Sequence, residues 1–435
     1  MDMTRVIGPA RLLGEVEGPM PELTRAAYQE LVAAVGLRGR GGAGFPVSVK
    51  LADLPADGSS AVVVNGSESE PISRKDRLLM TMAPHLVLDG AIGIAKALRA
   101  PLVIVSVHDP AAAAAMRAAA TSRSAAARSA AARSAAARSA AARSTEARLD
   151  IRVDESPGRF VAGEARAVLR GLEGGKAVPP GRRTLPSRKG YQGRPTFLSN
   201  VETFAQIAVL ARLGAREYAR TGLAAEPGTQ LLTIAGDVER PGVIEVPTGV
   251  PLDTILAASG AATGSTTLLG GYHGIWLPRT EGVLLSRTVK EIPLGAGIVL
   301  ALGPDTCPLG EVHRVAQWLA DQSAKQCGPC VFGLGAIVDD FGRLLAGDPN
   351  GWHDARRHLG LVDGRGACAH PDGAARFLAS ALDAFGDDVR DHLGTGCGRP
   401  VRGVLPVRGV LPLGGGQQLR NRPVTAYGAS LGGSR

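Results

Sequence analysis

Hydrophobic and polar positions in the first part of the chain fall into two alternating periods. Residues 21–35 (PELTRAAYQELVAAV) and 85–99 (HLVLDGAIGIAKALR) carry apolar positions at helical spacing. Between and after them, SAVVVN at 60–65 and LVIVSV at 102–107 are short unbroken apolar runs, the pattern of a buried strand. A further strand over 149–153 and a helix over about 163–172 continue the alternation, which predicts an α/β first domain spanning 1–227. The texture then changes. TQLLTIAG, GVIEVP, the short helix PLDTILAASG, GIWLP and GAGIVLALG predict a small β-rich domain over 228–306. From Val312 the spacing is helical again, with cysteines, giving a helical domain over 307–395 and a Gly/Arg-rich tail, 396–435, that reads as disordered.

One segment breaks the first domain. Residues 122–144 read SRSAAARSAAARSAAARSAAARS, inside a low-complexity insert over 121–147. Ala and Arg favour helix, so the insert predicts either a solvated helical extension or an expanded repeat in a loop. At about 100° per residue a period of five leaves a net turn of about 140°, so the arginines spiral around a helix and make no stripe.

Composition narrows the class. Hydrophobic residues at 45% and charged residues at 20% exclude wholesale disorder. Aromatics at 4% leave the core to Ala, Val, Leu and Ile. No apolar run approaches a membrane span. The N-terminus has no basic region followed by an apolar core, and five cysteines form no disulfide scaffold, so an intracellular, cytoplasmic protein is expected. The net charge of +9 falls to +4 once Arg123, Arg128, Arg133, Arg138 and Arg143 of the repeat are set aside. The repeat lacks both interleaved aromatics and a one-sided patch, so no nucleic-acid partner is expected.

Five motifs carry candidate chemistry. Gly39-Arg40-Gly41-Gly42-Ala43-Gly44-Phe45-Pro46 matches G-x-G-x-x-G, but a helix precedes it and Phe-Pro follows, which is not the dinucleotide context. Its glycines still let backbone N–H groups approach an anion, with Arg38, Arg40 and Lys50 nearby. Asn65-Gly66-Ser67-Glu68-Ser69-Glu70-Pro71, then Lys75-Asp76-Arg77, follows a strand end, where α/β sheets place ligands; a solvated charged turn is the alternative. Gly158–Glu164 lies at another strand–helix junction, and Asn200-Val201-Glu202-Thr203 is the fourth motif. Cys327-Gly328-Pro329-Cys330 and Cys368 could bind metal, cycle as a disulfide or simply be buried; the helix before the C-G-P-C disfavours a thioredoxin fold.

In order and spacing these motifs resemble the family of NADH-binding flavoprotein (F) subunits of respiratory complex I, NADH-quinone oxidoreductase, whose pattern NAD-linked hydrogenases and formate dehydrogenases share. The resemblance runs from about Pro21 to Leu393 and rests on GLRGRGGAGFP at 36–46, N-x-x-E-x-E-P-x-x-x-K-D-R at 65–77, GE-x-x-A-x-L at 163–169, LEG at 172–174 and NVETF at 200–204. It implies an FMN-binding α/β domain, a soluble-ligand-binding β-grasp (SLBB-like) domain and a C-terminal helical bundle holding a 4Fe-4S cluster. By the same resemblance Gly39, Gly41, Gly42, Gly44 and Lys50 would lie against the flavin, and Asn65, Glu68, Gly163, Glu164, Asn200 and Thr203 would line its pocket. Glu70 would face a ribose of NAD(H) and Phe45 would stack on its adenine. The implied activity is oxidation of NADH through FMN, with single electrons passed to an iron–sulfur centre and on to a ferredoxin-like or membrane redox partner.

The chain departs from that pattern in specific places. The family's cluster motif is Cys-x-x-Cys-x-x-Cys with a distant Cys; here the third position is Gly333, leaving Cys327, Cys330 and Cys368. A fourth ligand would have to come from Cys397 or Cys307; otherwise a three-iron cluster, a labile cluster or none is expected. Ala165, Leu51, Asp53 and Leu185 stand where the family has a glutamate, a tryptophan and two phenylalanines, and Ser67 replaces a flavin-side aspartate. Each lost ring removes about 0.5–1.5 kcal/mol of packing beyond its area. These losses define the second expectation, a scaffold or ligand-binding homologue with a vestigial flavin site.

Overall fold

Four parallel strands make the first sheet. Ala61–Gly66 pairs with Leu102–Val107 on one side and Thr196–Asn200 on the other, and Asp150–Glu155 adds to the outer edge of Leu102–Val107. The computed structural model describes residues 3–407 apart from 15, 17, 138–148, 182–183 and 289–291. Val62, Val63 and Val64 are fully buried, as a strand covered on both faces requires. The edge strand DIRVDE is only half-buried, which accounts for its polar content. Helix Pro84–Leu98 packs on helix Val201–Tyr218 over one face, and Gly90 lies where the two backbones meet.

Helix Pro110–Ala137 returns the chain from Leu102–Val107 to Asp150–Glu155. It is far longer than that task needs. Its 28 residues span about 42 Å, whereas a six-residue strand spans about 20 Å. Ala112, Ala113, Met116, Ala119 and Ala120 are buried against the sheet. At the end of that seam Arg123 pairs with Asp89 at 2.5 Å, and Arg212 pairs with the same carboxylate at 2.5 Å. The first repeat arginine is therefore docked and the helical reading of the repeat holds to Ala137; the remainder of the insert lies outside the described residues.

The second sheet has six strands. Thr229–Gly236 and Gly242–Pro247 form an antiparallel hairpin; Ile298–Leu302 joins Thr229–Gly236 in parallel, and Thr266–Leu269 and Ile275–Leu277 follow antiparallel. The far edge is Met3–Val6, parallel to Gly242–Pro247. The N-terminal strand thus belongs to this sheet, whereas the pattern reading assigned it to the first domain. Helices Pro308–Gln322, Leu334–Leu345, Pro349–Val362, His370–Ala384 and Gly386–Leu393 close the chain over a core shared with Leu268, Leu300 and Tyr272.

The reading of the tail also needs correction. Residues 396–407 are packed: Leu405 is fully buried, and Cys307 N donates to Pro400 O at 2.8 Å. The buried Glu311 carboxylate accepts Gly403 N and Leu405 N. The first copy of the duplicated VRGVLP supplies apolar residues at the right places to fill this groove; residues 408–435 lie outside the description. Among the described residues no single helix is long and apolar enough to cross a membrane.

A methyl group on Gly90 would sit inside contact distance of the Phe204 carbonyl. Gly90→Ala is expected to lower unfolding stability by about 1–3 kcal/mol through overpacking, read from a denaturant titration.

Candidate functional site

The glycine loop stands over the carboxyl ends of the parallel strands, where open α/β sheets hold ligands. Gly39 N donates to Phe45 O at 2.9 Å, closing residues 39–45 into a tight loop. Gly42 (φ 79°) and Gly44 (φ 58°) take left-handed conformations that a side chain would strain. Gly41 is exposed on the loop, and a Cβ there would lie 3.0 Å from Asn200 Cβ. Beneath the loop, the buried Thr203 hydroxyl accepts Arg40 N at 2.9 Å. Thr203 therefore holds the loop from below.

The strand ends deliver the other predicted residues to the same place. Asn65 and Asn200 are register partners on adjacent strands. Asn65 Nδ2 donates to Gly163 O at 2.9 Å, which ties the third motif to the second. A Cβ on Gly163 would lie 2.6 Å from Ser69 Oγ and 2.8 Å from Ser67 O, so only glycine fits. Ser67 Oγ bonds Ser106 Oγ at 3.0 Å and Ser156 Oγ at 2.8 Å, filling its position with a hydroxyl cluster. Lys50 is half-buried, donates to Leu198 O at 2.9 Å and lies 6.0 Å from the Phe45 ring centroid. It has no carboxylate partner among the described residues, and burial pulls its ammonium down to about 8. Ser199 Oγ is buried nearby in sequence, without a hydrogen-bond partner.

Three predicted carboxylates have structural duties. Glu68 accepts Asp76 N at 3.0 Å and Arg77 N at 2.9 Å, at the start of helix Lys75–Met82. Glu164 caps helix Ala165–Leu172 through Arg166 N and Ala167 N. One oxygen of Glu70 accepts Tyr272 N at 3.0 Å, so this carboxylate reaches towards the second sheet. Phe45 is 39% exposed, an aromatic ring open to a ligand.

Pattern reading missed the charged layer under the site. Lys75 pairs with Asp76 at 2.7 Å and with Glu202 at 3.0 Å, and Asn200 Nδ2 donates to Asp76 at 2.6 Å. Arg40, fully buried, pairs with Glu226 at 2.8 Å, and Arg287 lies 3.8 Å from the same carboxylate. Burial pushes Glu202 and Glu226 upward, but the surrounding cations outweigh it and hold both below the usual carboxylate range. Burial lowers Lys75, and Asp76 with Glu202 more than restore it. Asp76 is raised to about 6, chiefly by burial against the opposing pull of Lys75. The motif letters K-D-R and N-V-E-T contained Lys75, Asp76, Asn200 and Glu202, and the glycine motif contained Arg40; Glu226 and Arg287 lie outside every motif, and no spacing revealed that Arg40 and Glu226 meet.

The cysteines form two groups. Burial, then the neighbouring Cys327 and Cys368, pushes the Cys330 thiol up to about 12, so the three motif cysteines converge. Residues Pro329–Gly333 form a π-helical turn that contains Cys330. A Cβ on Gly333 would meet a methyl group of Val362, so a side chain where the family's third cysteine stands would require Val362 to shift. Cys397, considered as a fourth ligand, is gathered instead with Cys307 and His392. Phe160, three residues before Gly163, packs edge-on against His273 at 4.7 Å, Trp318 at 5.2 Å and His370 at 5.6 Å. His370 is two residues from Cys368, and Trp318 shares an apolar core with Cys330, so the ring cluster borders the segments that carry Gly163, Cys330 and Cys368.

The layer of buried ions yields a direct test. Glu226→Gln removes the countercharge of a fully buried arginine and is expected to cost about 3–5 kcal/mol of stability, measured by chemical denaturation.

Comparison with known proteins agrees with this geometry. Residues 32–209 match the Nuo51 FMN-binding domain, and residues 311–392 match the NADH-ubiquinone oxidoreductase-F iron-sulfur binding region. The NADH-quinone oxidoreductase F subunit of Mycobacterium tuberculosis is 31% identical over 391 residues, covering 84% of this chain and 85% of the relative. Its counterpart in Escherichia coli K12 is 29% identical over 398 residues, covering 86% of each. The crystal structure of an NAD+-reducing NiFe-hydrogenase in the H2-reduced state superposes with a TM-score of 0.78 at 26% identity, over 91% of this chain and 68% of that one. The chain belongs to the family of NADH-quinone oxidoreductase F subunits.

Proposed function

We propose that this protein oxidises NADH through FMN and passes the electrons singly to an iron–sulfur centre and a partner subunit. The observation that carries the reading is Lys50: a half-buried cation without a carboxylate partner among the described residues, beside a glycine loop and an Asn65–Gly163 contact at the ends of parallel strands. Such a cation, with backbone N–H groups that glycines leave uncovered, is suited to a phosphate or an electron-rich flavin edge. Gly39, Gly41, Gly42 and Gly44 would form the cradle, while Asn65, Gly163, Glu164 and Asn200 would line the ring side. When bound, FMN accepts two electrons together and releases them one at a time. Thr203 and Glu68 act at one remove, holding the loop and the helix start that shape the pocket. Phe45, exposed at the loop's end, offers a face for the adenine of NADH. The missing aromatic partners at Asp53 and Leu185 predict weaker nucleotide affinity than two further rings would give.

Cys327, Cys330 and Cys368 would hold the cluster through three thiolates, with no thiol at Gly333. The five strands over 228–306, completed to a six-stranded sheet by Met3–Val6, with helix Leu252–Ser259, support the SLBB-like β-grasp domain that the resemblance implies. The preceding α/β unit to 227 and the helical unit from 307 would be the flavin and cluster domains. The partner is an electron-transfer protein rather than a nucleic acid.

An anaerobic absorption spectrum before and after NADH, with FMN and iron quantified on the same sample, tests the reading. Flavin bands that bleach on NADH addition, above a broad iron–sulfur shoulder, are expected. A protein that takes up neither FMN nor iron when both are supplied would move the assignment to a non-catalytic scaffold.

Lys50 adds a pH dependence. In the free protein its ammonium titrates near 8, and an anionic ligand beside it favours the charged form. Binding above that pH must take up a proton, so FMN affinity is expected to fall as pH rises above 8, by up to tenfold per unit. Fluorescence titration of FMN at stepped pH checks this, and Lys50→Met should flatten the profile.

A further inference from the structure

Cys307, His392 and Cys397 place two sulfurs and an imidazole nitrogen within 4.8 Å of one another, away from the C-G-P-C turn in sequence and with no part in the reading above. Cys307 caps the N-terminus of helix Pro308–Gln322, where its sulfur accepts Gly310 N at 3.2 Å. His392 comes from the last turn of helix Gly386–Leu393, with Nε2 3.3 Å from Cys307 Sγ. Cys397 follows in the extended segment, its sulfur next to that of Cys307.

We propose that Cys307, His392 and Cys397 bind a single zinc-class divalent ion, a site separate from the iron–sulfur thiols. Two thiolates and an imidazole are the donor set that a soft-to-borderline tetrahedral ion selects. With zinc–sulfur bonds of about 2.3 Å and zinc–nitrogen bonds of about 2.0 Å, tetrahedral donors of this set lie about 3.5–3.8 Å apart. The Cys307 Sγ–His392 Nε2 distance of 3.3 Å and the 4.8 Å limit on the set bracket that value, so small movements of the side chains would bring the three donors to bonding distance of one ion. Two thiolates neutralise a divalent charge, which suits a half-buried position. Burial and Cys397 raise the Cys307 thiol to about 11, so metal entry displaces a proton from that sulfur. The protein supplies three ligands, leaving the fourth position to water.

The ligands join three parts of the chain. The ion would pin the start of helix Pro308–Gln322 to the end of helix Gly386–Leu393 and to the segment that runs on to the buried Leu405. It would therefore fasten the C-terminal strap that Pro400 O and Glu311 already hold by hydrogen bonds.

The test uses the full chain produced with both iron and zinc supplied, desalted, and assayed for both metals by mass spectrometry. Wild type is expected to carry about one zinc per chain. Cys397→Ser and His392→Ala should lose it while keeping iron, and Cys330→Ser should lose iron while keeping zinc. Should the serine or alanine variant not fold, wild-type protein reconstituted with Co2+ serves instead. Thiolate-to-cobalt charge transfer with tetrahedral d–d bands, unaffected by Cys330→Ser, supports the site. Zinc lost with Cys330→Ser but retained in Cys397→Ser, iron lost with Cys397→Ser, no zinc or cobalt bound, or a Cys307–Cys397 disulfide in the unreduced protein would each overturn it. None of these readouts depends on flavin or NADH turnover, so this proposal and the redox reading fail independently.

Discussion

Countercharge in a buried layer is the constraint on which the site rests. Lys75, Arg40 and Arg287 face Asp76, Glu202 and Glu226 where the two sheets meet, and every one of these side chains is nearly or wholly out of water. Removing such ions from solvent costs several kcal/mol apiece unless each is matched. The matching fixes positions. Lys75 reaches both Asp76 and Glu202, Asp76 holds Asn200, and Arg40 carries the glycine loop on its own backbone. The pocket's outline is thus set from below, by groups that need touch no ligand. The layer also crosses a boundary. Glu226 and Arg287 precede or belong to the second sheet's segment of the chain, whereas Arg40, Lys75 and Glu202 come from the first.

Between the pocket and the cysteine turn the chain places uncharged rings. Burial lowers His370 to about 4 and His273 well below its ordinary range, so both imidazoles are neutral at neutral pH. Phe160, Trp318 and Tyr272 pack around them. Ser69 Oγ donates to Phe160 O at 2.7 Å and Phe160 N donates to Gln322 Oε1 at 3.0 Å, fixing the ring's backbone from both sides. The connection is uncharged: Tyr272, Trp318 and His370 are buried, and Phe160 and His273 are half-buried. Any charge in it would have needed its own buried partner.

Much of this was legible in the letters, and what was not has physical reasons. The strands Ala61–Gly66 and Leu102–Val107 announce themselves because both faces are buried and the apolar run is unbroken. Helix Val201–Tyr218 gave no period for the opposite reason: from Val201 to Ala211 every residue is buried, so no polar face marks the turn. Met3–Val6 is too short for any alternation, and its place is decided by pairing with residues far along the chain. The glycine loop, Asn65 and Gly163 could be read as motifs, but their meeting depends on strand register. Glu70 could be read as a letter, but not that one of its oxygens accepts Tyr272 N from the second sheet's segment. The grouping of Cys397 with Cys307 arises from helix packing that no spacing encodes.

The over-long helix Pro110–Ala137 has a further consequence. Its buried seam runs to Ala120 and its docking to Arg123, and from there each five-residue unit adds about 7.5 Å of rod and about 140° of screw rotation. Lengthening or shortening the helix by one unit past that point leaves the seam, the Asp89 pairing and the pocket as they are. It changes the reach of the rod and the direction in which its far end is aimed. Unit number is thus a dial for reach and heading that turns without disturbing the site beneath it.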